Sequence, residues 1–537
     1  MNDSRSDILI IGAGIAGLVL AHECLEAGLS VHMVDRDSEE NVGGLARWAF
    51  GGMALVDTPL QRRMGIKDSP ELAMRDWESF ADFGPDDSWP RRWARKYVEE
   101  CTDSVFHWLK EKDMKFFPAV NWVERGDFSP GNSVPRYHLL WGAGHWLVQR
   151  FVELLKEHSR ANRLRWTFAH RVDDLLISSG RVVGCECIDE ASGERLEFHG
   201  NQVVVATGGI NGNLQKVRDN WHQPWGQAPT EMLNGAHPFA DGRMHDAVLA
   251  HGGKVTHLDW MWNYAAGIPH PQPLFDLHGL SLVPCKSALW LDHSGERIGP
   301  QPLVTGFDTN ELCRRVSQLE KPWTWHLLNW RIAAKEFAIS GAEHNPHFRD
   351  RRLLPFLKET LLGNHRLVRQ MEEECDHFLV AKNLPDLVEK MNVLNPDDPV
   401  VLEKIEKAVT DYDEVIRRGE AQWNDDQLRR IQHARSWRSD RIRTCKPKPM
   451  LDEKSGPLIA IKLRLITRKS LGGIQTDLQS RVLNNAGQAI DGLYAIGEAA
   501  GFGGGGASGF RSLEGTFLSG CILTARAAAD DIKRNRG

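Results

Sequence analysis

Tyrosine is scarce in this 537-residue chain: there are five, against 19 tryptophans. Few phenols are on hand for acid–base work, so each can be weighed by itself. The nine cysteines include no C-x-x-C pair, and only Cys185 and Cys187 lie close together, in a C-x-C on an expected strand. That spacing lacks the usual zinc, iron–sulfur and dithiol patterns, so no metal is expected. An odd cysteine count fits a reducing compartment better than a disulfide scaffold. Basic excess is also missing: 66 Lys+Arg against 72 Asp+Glu leave a net charge of −6. Nucleic acid is therefore not an expected partner. No apolar run reaches the ~20 residues of a membrane helix. Met1–Asp7 is polar and runs straight into a strand, without the pattern of a signal peptide. A cytoplasmic protein without a membrane span is expected. Glycine, in contrast, is plentiful at 49 and clustered, which points to tight turns and close backbone approach to a ligand. The length calls for two or three folding units.

Asp7–Ile11 reads as a short buried strand. Gly12-Ala13-Gly14-Ile15-Ala16-Gly17 follows at once, then a helical pattern over Leu18–Ala27, then an apolar strand Ser30–Val34 that ends in Asp35. This is the dinucleotide fingerprint in the context it requires. Gly12 permits the turn, Gly14 lets the backbone approach a pyrophosphate, and Gly17 lets helix and strand pack closely. The start of the helix offers free N–H groups and its positive dipole end to the phosphates. Asp35 stands where an acid bonds the ribose hydroxyls.

Distant segments narrow the cofactor to FAD. Gly43-Gly44, Gly51-Gly52, Ala206-Thr207-Gly208-Gly209, Ala240-Asp241-Gly242, Gly472–Asp477 and Gly492–Glu498 resemble the flavoprotein superfamily of fumarate reductases, succinate dehydrogenase flavoprotein subunits and 3-ketosteroid dehydrogenases. The resemblance runs over nearly the whole chain. Asp259–Ile268, Ser287–Asp292 and Lys335–Gly341 resemble its bacterial FAD-binding dehydrogenases, neighbours of the ketosteroid enzymes. It implies an α/β architecture: a Rossmann-like FAD-binding domain built from both chain ends, 1–275 and 446–537, with an inserted α+β substrate or cap domain at 276–445.

The resemblance also implies a set of cofactor contacts. Gly12, Ala13, Gly14, Ala16 and Gly17 would hold the pyrophosphate, with Ala206, Thr207 and Gly208 beside it. Asp35 and Arg36 would lie at the adenosine ribose and Val172 near the adenine, while Gly43, Gly44, Gly51 and Gly52 would line the flavin side. Glu498 would reach the ribitol. The cluster Gly501–Gly509 leads into a helix expected from about Gly515 to Ile532. Its positive end would stabilise reduced flavin, with Thr516 bonding the flavin carbonyl and Gly515 and Leu518 giving backbone contacts. Succinate dehydrogenases attach FAD through a histidine in the segment matching Leu45–Phe50, which has none here. Noncovalent FAD is expected.

Departures from the superfamily shape the expected substrate. Thr305 stands where fumarate reductases carry a catalytic arginine, and Lys469 where they place a substrate histidine. A dicarboxylate is therefore not expected. The aliphatic segment Pro457–Ala460 lacks the tyrosine of the ketosteroid dehydrogenases. Desaturation beside a carbonyl needs a hydride acceptor, a base for the α-proton and donors to the carbonyl. Tyr264 is the first candidate acid or base, and Arg511 the candidate substrate or flavin cation; Tyr137, His237 and Lys469 follow. Trp260, Trp262 and Trp290 are expected near the junction of flavin and cap. The expected activity is FAD-dependent dehydrogenation of a CH–CH bond next to a carbonyl in a small apolar substrate, steroids among them. The sequence leaves the electron acceptor unknown. A reductase running the other way would use the same residues, and a flavin-binding protein without turnover is a further alternative.

Overall fold

The computed structural model describes residues 5–535; Met1–Ser4 of the expected polar lead-in lie outside them. Strand β1 (Ser6–Ile11) pairs in parallel with β2 (Val31–Val34) on one side and with Arg195–Val205 on the other. Leu164–Thr167 extends the sheet beyond β2, and Ala489–Ala495 extends it beyond Arg195–Val205, both in parallel. The two ends of the chain thus meet in one sheet, as expected. Apolar runs suit such strands because both faces are covered, and Ile8–Ile11 and Val203–Val205 are buried throughout.

The registers are level at one edge. Ile11 lies opposite Val34 and Val205, and Val205 lies opposite Ala495. Their next residues, Gly12, Asp35, Ala206 and Ile496, form a rim at the carboxyl ends of the strands, where open α/β sheets bind ligands. Helix α1 (Ile15–Glu26) is apolar on nearly every side and buried from Ile15 to Leu25. It packs against the late helix Thr516–Arg534. Among the described residues no helix is long and apolar enough to cross a membrane.

A second sheet forms around the 13-residue strand Leu458–Ser470. That strand is antiparallel to Met261–Pro269, Trp323–Asn329 and Phe378–Ala381 and parallel to Leu233–Asn234. Every residue in it is buried except Arg464 and Lys469, which are partly so. The sheet therefore reaches past the expected 276–445 on both sides. Composition marks the charged helices between Thr309 and Arg443, but not the pairing of strands some 200 residues apart in sequence, which only tertiary contacts decide.

One irregularity in this sheet matters for chemistry. Lys469 lies opposite Trp262 and Thr467 opposite Asn263, which leaves Arg468 as an extra residue. A bulge of this kind turns a side chain that strict alternation would send to the other face. As a result Arg468 and its neighbour Lys469 both line one cleft.

Candidate cofactor and active site

The rim of strand ends opens into a long cleft of about 1620 Å³, its mouth included. Around β2 it is lined by Asp35, Arg36, His170 and Val172; around the glycine turn by Gly12, Gly14, Ala16, Gly43, Gly44, Ala206, Thr207 and Gly208. Around the late glycine cluster the lining residues include Gly51, Gly52, Tyr137, Tyr264, Arg468, Lys469, Glu498, Glu514 and Leu518. Most of the residues implied by resemblance therefore share one cavity. Ala13, Gly17, Gly515, Thr516 and Arg511 do not line it.

The glycines of the turn have different tasks. A Cβ on Gly12, at φ +105°, would lie 2.5 Å from the Ala206 carbonyl oxygen, and one on Gly17 would lie 2.2 Å from the Gly12 oxygen. Those two glycines permit the turn and the packing of helix on strand. Gly14 has ordinary extended angles, φ −68° and ψ 174°. Its Cβ would meet nothing closer than the Ala206 oxygen at 4.0 Å, so its missing side chain is open cleft. Gly44 has similar space around it, with Gly14 Cα at 3.7 Å, but its φ of +53° is one that side chains rarely adopt. This floor has room for a pyrophosphate.

Asp35 lines the cleft and also has a structural task. Its two oxygens accept from the backbone N–H groups of Ala13 and Asp37, so it also braces the glycine turn. Burial pushes its carboxyl above the usual range. Arg36 is held by Glu190 at 2.9 Å and Asp241 at 3.1 Å, and lies 4.4 Å above the ring of Phe239. At the other end, helix Thr516–Arg534 starts from Gly515 at φ +101° with no side-chain cap. The Thr516 hydroxyl is occupied by Ser508 and Ser512. A buried helix start without a cap leaves N–H donors and a positive dipole end for an electron-rich ligand. Together with the glycine floor, this donor set fits a dinucleotide cofactor such as FAD.

Several polar groups gather at that end. The Tyr264 hydroxyl donates to Glu514 Oε2 at 2.7 Å. Trp262 Nε1–H points at both, 2.9 Å from the same Glu514 oxygen and 3.1 Å from Tyr264 Oη. Burial and the adjacent carboxylate push the Tyr264 phenol far above its ordinary range. Lys469 Nζ lies 4.2 Å from the centre of the Phe517 ring, and burial lowers its pKa. Arg468 donates to the Gly235 carbonyl at 2.8 Å, while its Nε is buried without a partner. Glu498 accepts from the Ser470 N–H at 2.9 Å, and burial raises its carboxyl. Tyr137 fills the space that a side chain on Gly52 would need. His237 stacks on Trp48 at 5.6 Å and pairs with Asp37 at 3.1 Å.

Three sequence expectations need adjustment. Arg511 is not placed on the cleft: its guanidinium pairs with Asp308 at the start of helix Thr309–Ser317, donates to Ser129 at 3.1 Å, and covers Phe80. It joins the glycine-rich turn to the second unit, and at this end of the cleft Arg468 and Lys469 are the cations. Trp290 belongs to the core of the second unit, 4.9 Å from His326, whereas Trp260 and Trp262 do pack near the glycine cluster. Glu514 was not anticipated. Its only signal in the sequence is a carboxylate directly before the glycine that starts the late helix.

The wall segment Leu45–Phe50 brings Leu45, Ala46, Ala49 and Phe50 to the cleft and no histidine. Acid or heat precipitation is therefore expected to release all flavin into the supernatant. Flavin absorbance remaining with the precipitated chain would contradict noncovalent binding.

Comparison with known proteins agrees with this geometry. Residues 7–518 match the family described as FAD binding domain. A KsdD-like steroid dehydrogenase from Mycobacterium tuberculosis is 42% identical, over 98% of this chain and 96% of its own. The solved 3-ketosteroid delta1-dehydrogenase from Sterolibacterium denitrificans, in complex with 1,4-androstadiene-3,17-dione, superposes with a TM-score of 0.69 at 15% identity, covering 99% of this chain and 100% of that one. The 3-ketosteroid-delta4-(5alpha)-dehydrogenase from Rhodococcus jostii, in complex with 4-androstene-3,17-dione, gives 0.65 at 19% identity, covering 99% and 97%. At such identities the two structures speak for the fold alone. On the family match and the near-full-length relative, the chain belongs to the FAD binding domain family, and its cofactor is FAD.

Proposed function

We propose that the protein is an FAD-dependent dehydrogenase that introduces a C=C bond beside the carbonyl of an apolar, steroid-like substrate. The observation that carries this reading is Tyr264, a phenol on the cleft wall with its hydroxyl fixed at 2.7 Å from a carboxylate. When bound, FAD supplies the hydride acceptor at its N5. Tyr264 is the residue that takes the α-proton from the substrate. Arg468 and Lys469 face the same space and stabilise negative charge that grows on the carbonyl oxygen, an interaction strengthened where water is excluded. Phe502, Phe517 and Leu518 give the site apolar walls. The near-full-length relative named a steroid dehydrogenase supports the substrate class.

Tyr264→Phe tests the reading because it removes only the hydroxyl. FAD content is expected to stay at the parental level, while flavin reduction by a 3-oxosteroid, followed by anaerobic rapid mixing, slows ~10²–10⁴-fold. Reduction at the parental rate would make Tyr264 a packing residue. If no 3-oxosteroid bleaches the flavin of the parent enzyme, the proposed substrate class is wrong.

A further inference from the structure

A buried phenol is a poor base when it stands alone. To accept a proton it must first lose its own, and burial disfavours the phenolate. Tyr264 has a fixed route for that proton. Its oxygen accepts from Trp262 Nε1–H at 3.1 Å and donates to Glu514 Oε2 at 2.7 Å. A hydroxyl has one proton and two lone pairs. With the proton committed to Glu514 and one lone pair to Trp262, the second lone pair is left for the cleft that both Tyr264 and Glu514 line. Trp262 also donates to Glu514 Oε2 at 2.9 Å, which holds the carboxylate in place. Glu514 and Tyr264 are 250 positions apart in sequence, and the first sits on the turn that starts the flavin-facing helix.

We propose that Glu514 is the terminal proton acceptor of a Tyr264–Glu514 relay. This rests on the reading of Tyr264 as the group that meets the substrate. As the substrate Cα–H bond breaks, its proton bonds to Tyr264 Oη, and the proton already on Oη passes to Glu514 Oε2. The Cα–H electron pair would form the new C=C as the neighbouring carbon loses a hydride, for which oxidised FAD, when bound, would supply the acceptor. The substrate thus loses one proton and one hydride, Tyr264 ends as it began, and Glu514 ends protonated. No full phenolate charge has to form in the buried site. Glu514 acts through Tyr264 and does not itself touch the substrate.

Proton transfer can be observed apart from redox turnover. Holoenzyme whose FAD has been reduced anaerobically cannot take a hydride, yet it can exchange the α-protons of a saturated 3-oxosteroid for deuterium in D2O, followed by mass spectrometry. Glu514→Gln keeps the shape and can still accept a hydrogen bond, but a neutral amide is a far weaker proton acceptor. It is expected to slow exchange at least ~10²-fold with FAD content and steroid binding retained. Tyr264→Phe should slow it similarly, and the double variant should be no slower than the slower single, because the two act as one unit. Glu514→Asp, a carboxylate on a shorter arm, is expected to recover about tenfold or more over Gln. Exchange by Glu514→Gln at the parental rate while Tyr264→Phe is slow overturns the relay and leaves Tyr264 standing, and so does failure of Asp to recover anything. Parental exchange by Tyr264→Phe overturns both.

Discussion

Gly14→Val is expected to give a folded, colourless protein. Valine is comfortable at φ −68° and ψ 174°, and the nearest atom to its Cβ is 4.0 Å away. The Cβ displaces no atom of the fold, so the apoprotein should melt within ~0.5 kcal/mol of the parental apoprotein, as for substitutions away from special features. The added methyls point into the space between the glycine turn and the Ala206 end of Arg195–Val205, where a pyrophosphate lies in this type of site. The flavin to polypeptide ratio should fall to zero. Gly17→Val gives the contrast: its Cβ would sit 2.2 Å from the Gly12 oxygen, so the turn itself has to break. Full flavin content in Gly14→Val would mean that the cofactor does not cross this turn.

The second large effect concerns stability. Arg136 is buried with two carboxylates: Asp68 accepts from it at 2.8 and 2.9 Å, and Asp76 accepts from a third nitrogen. Arg136→Met removes the only cation in this cluster and leaves both acids in a low-dielectric site. Breaking such a pair by removing one partner costs about 3–5 kcal/mol. Urea unfolding at fixed FAD concentration would measure the loss. A deficit under ~1 kcal/mol would show that this cluster is well solvated. Tyr137 follows Arg136 directly and forms part of the cleft wall, so weaker FAD retention should accompany the loss.

What could be read from the sequence follows a physical division. The first strand, turn, helix and second strand are local, and β1, α1 and β2 stand within a few residues of their expected places. Gly12 and Gly17 could be read because each answers a steric demand of the turn itself that no residue with a side chain meets. Polar residues whose meaning depends on a distant partner could not. Arg511 looks like a free cation beside a glycine cluster, but Asp308, 203 positions away, takes its charge. Glu514 looks like a turn residue until Tyr264 is placed against it. Lys469 was expected as the counterpart of a histidine and as a weaker candidate behind Tyr264, and Arg468 was not singled out, because alternation along a strand forbids both from facing one cleft unless a bulge intervenes.

The sheet that joins the chain's two ends also sets a timetable for the protein's synthesis. Arg195–Val205 lies between β1 and Ala489–Ala495, and the late helix comes later still, at Thr516–Arg534. At about 5–20 residues per second, the glycine turn leaves the ribosome roughly 25–100 s before the strand that completes its parallel core. Through that interval the nascent chain has a pyrophosphate floor but no flavin end, and an apolar strand edge of the kind that invites wrong pairing. The complete cleft exists only once the late segments have joined the early ones, and from then on a bound cofactor stabilises the assembled chain by mass action.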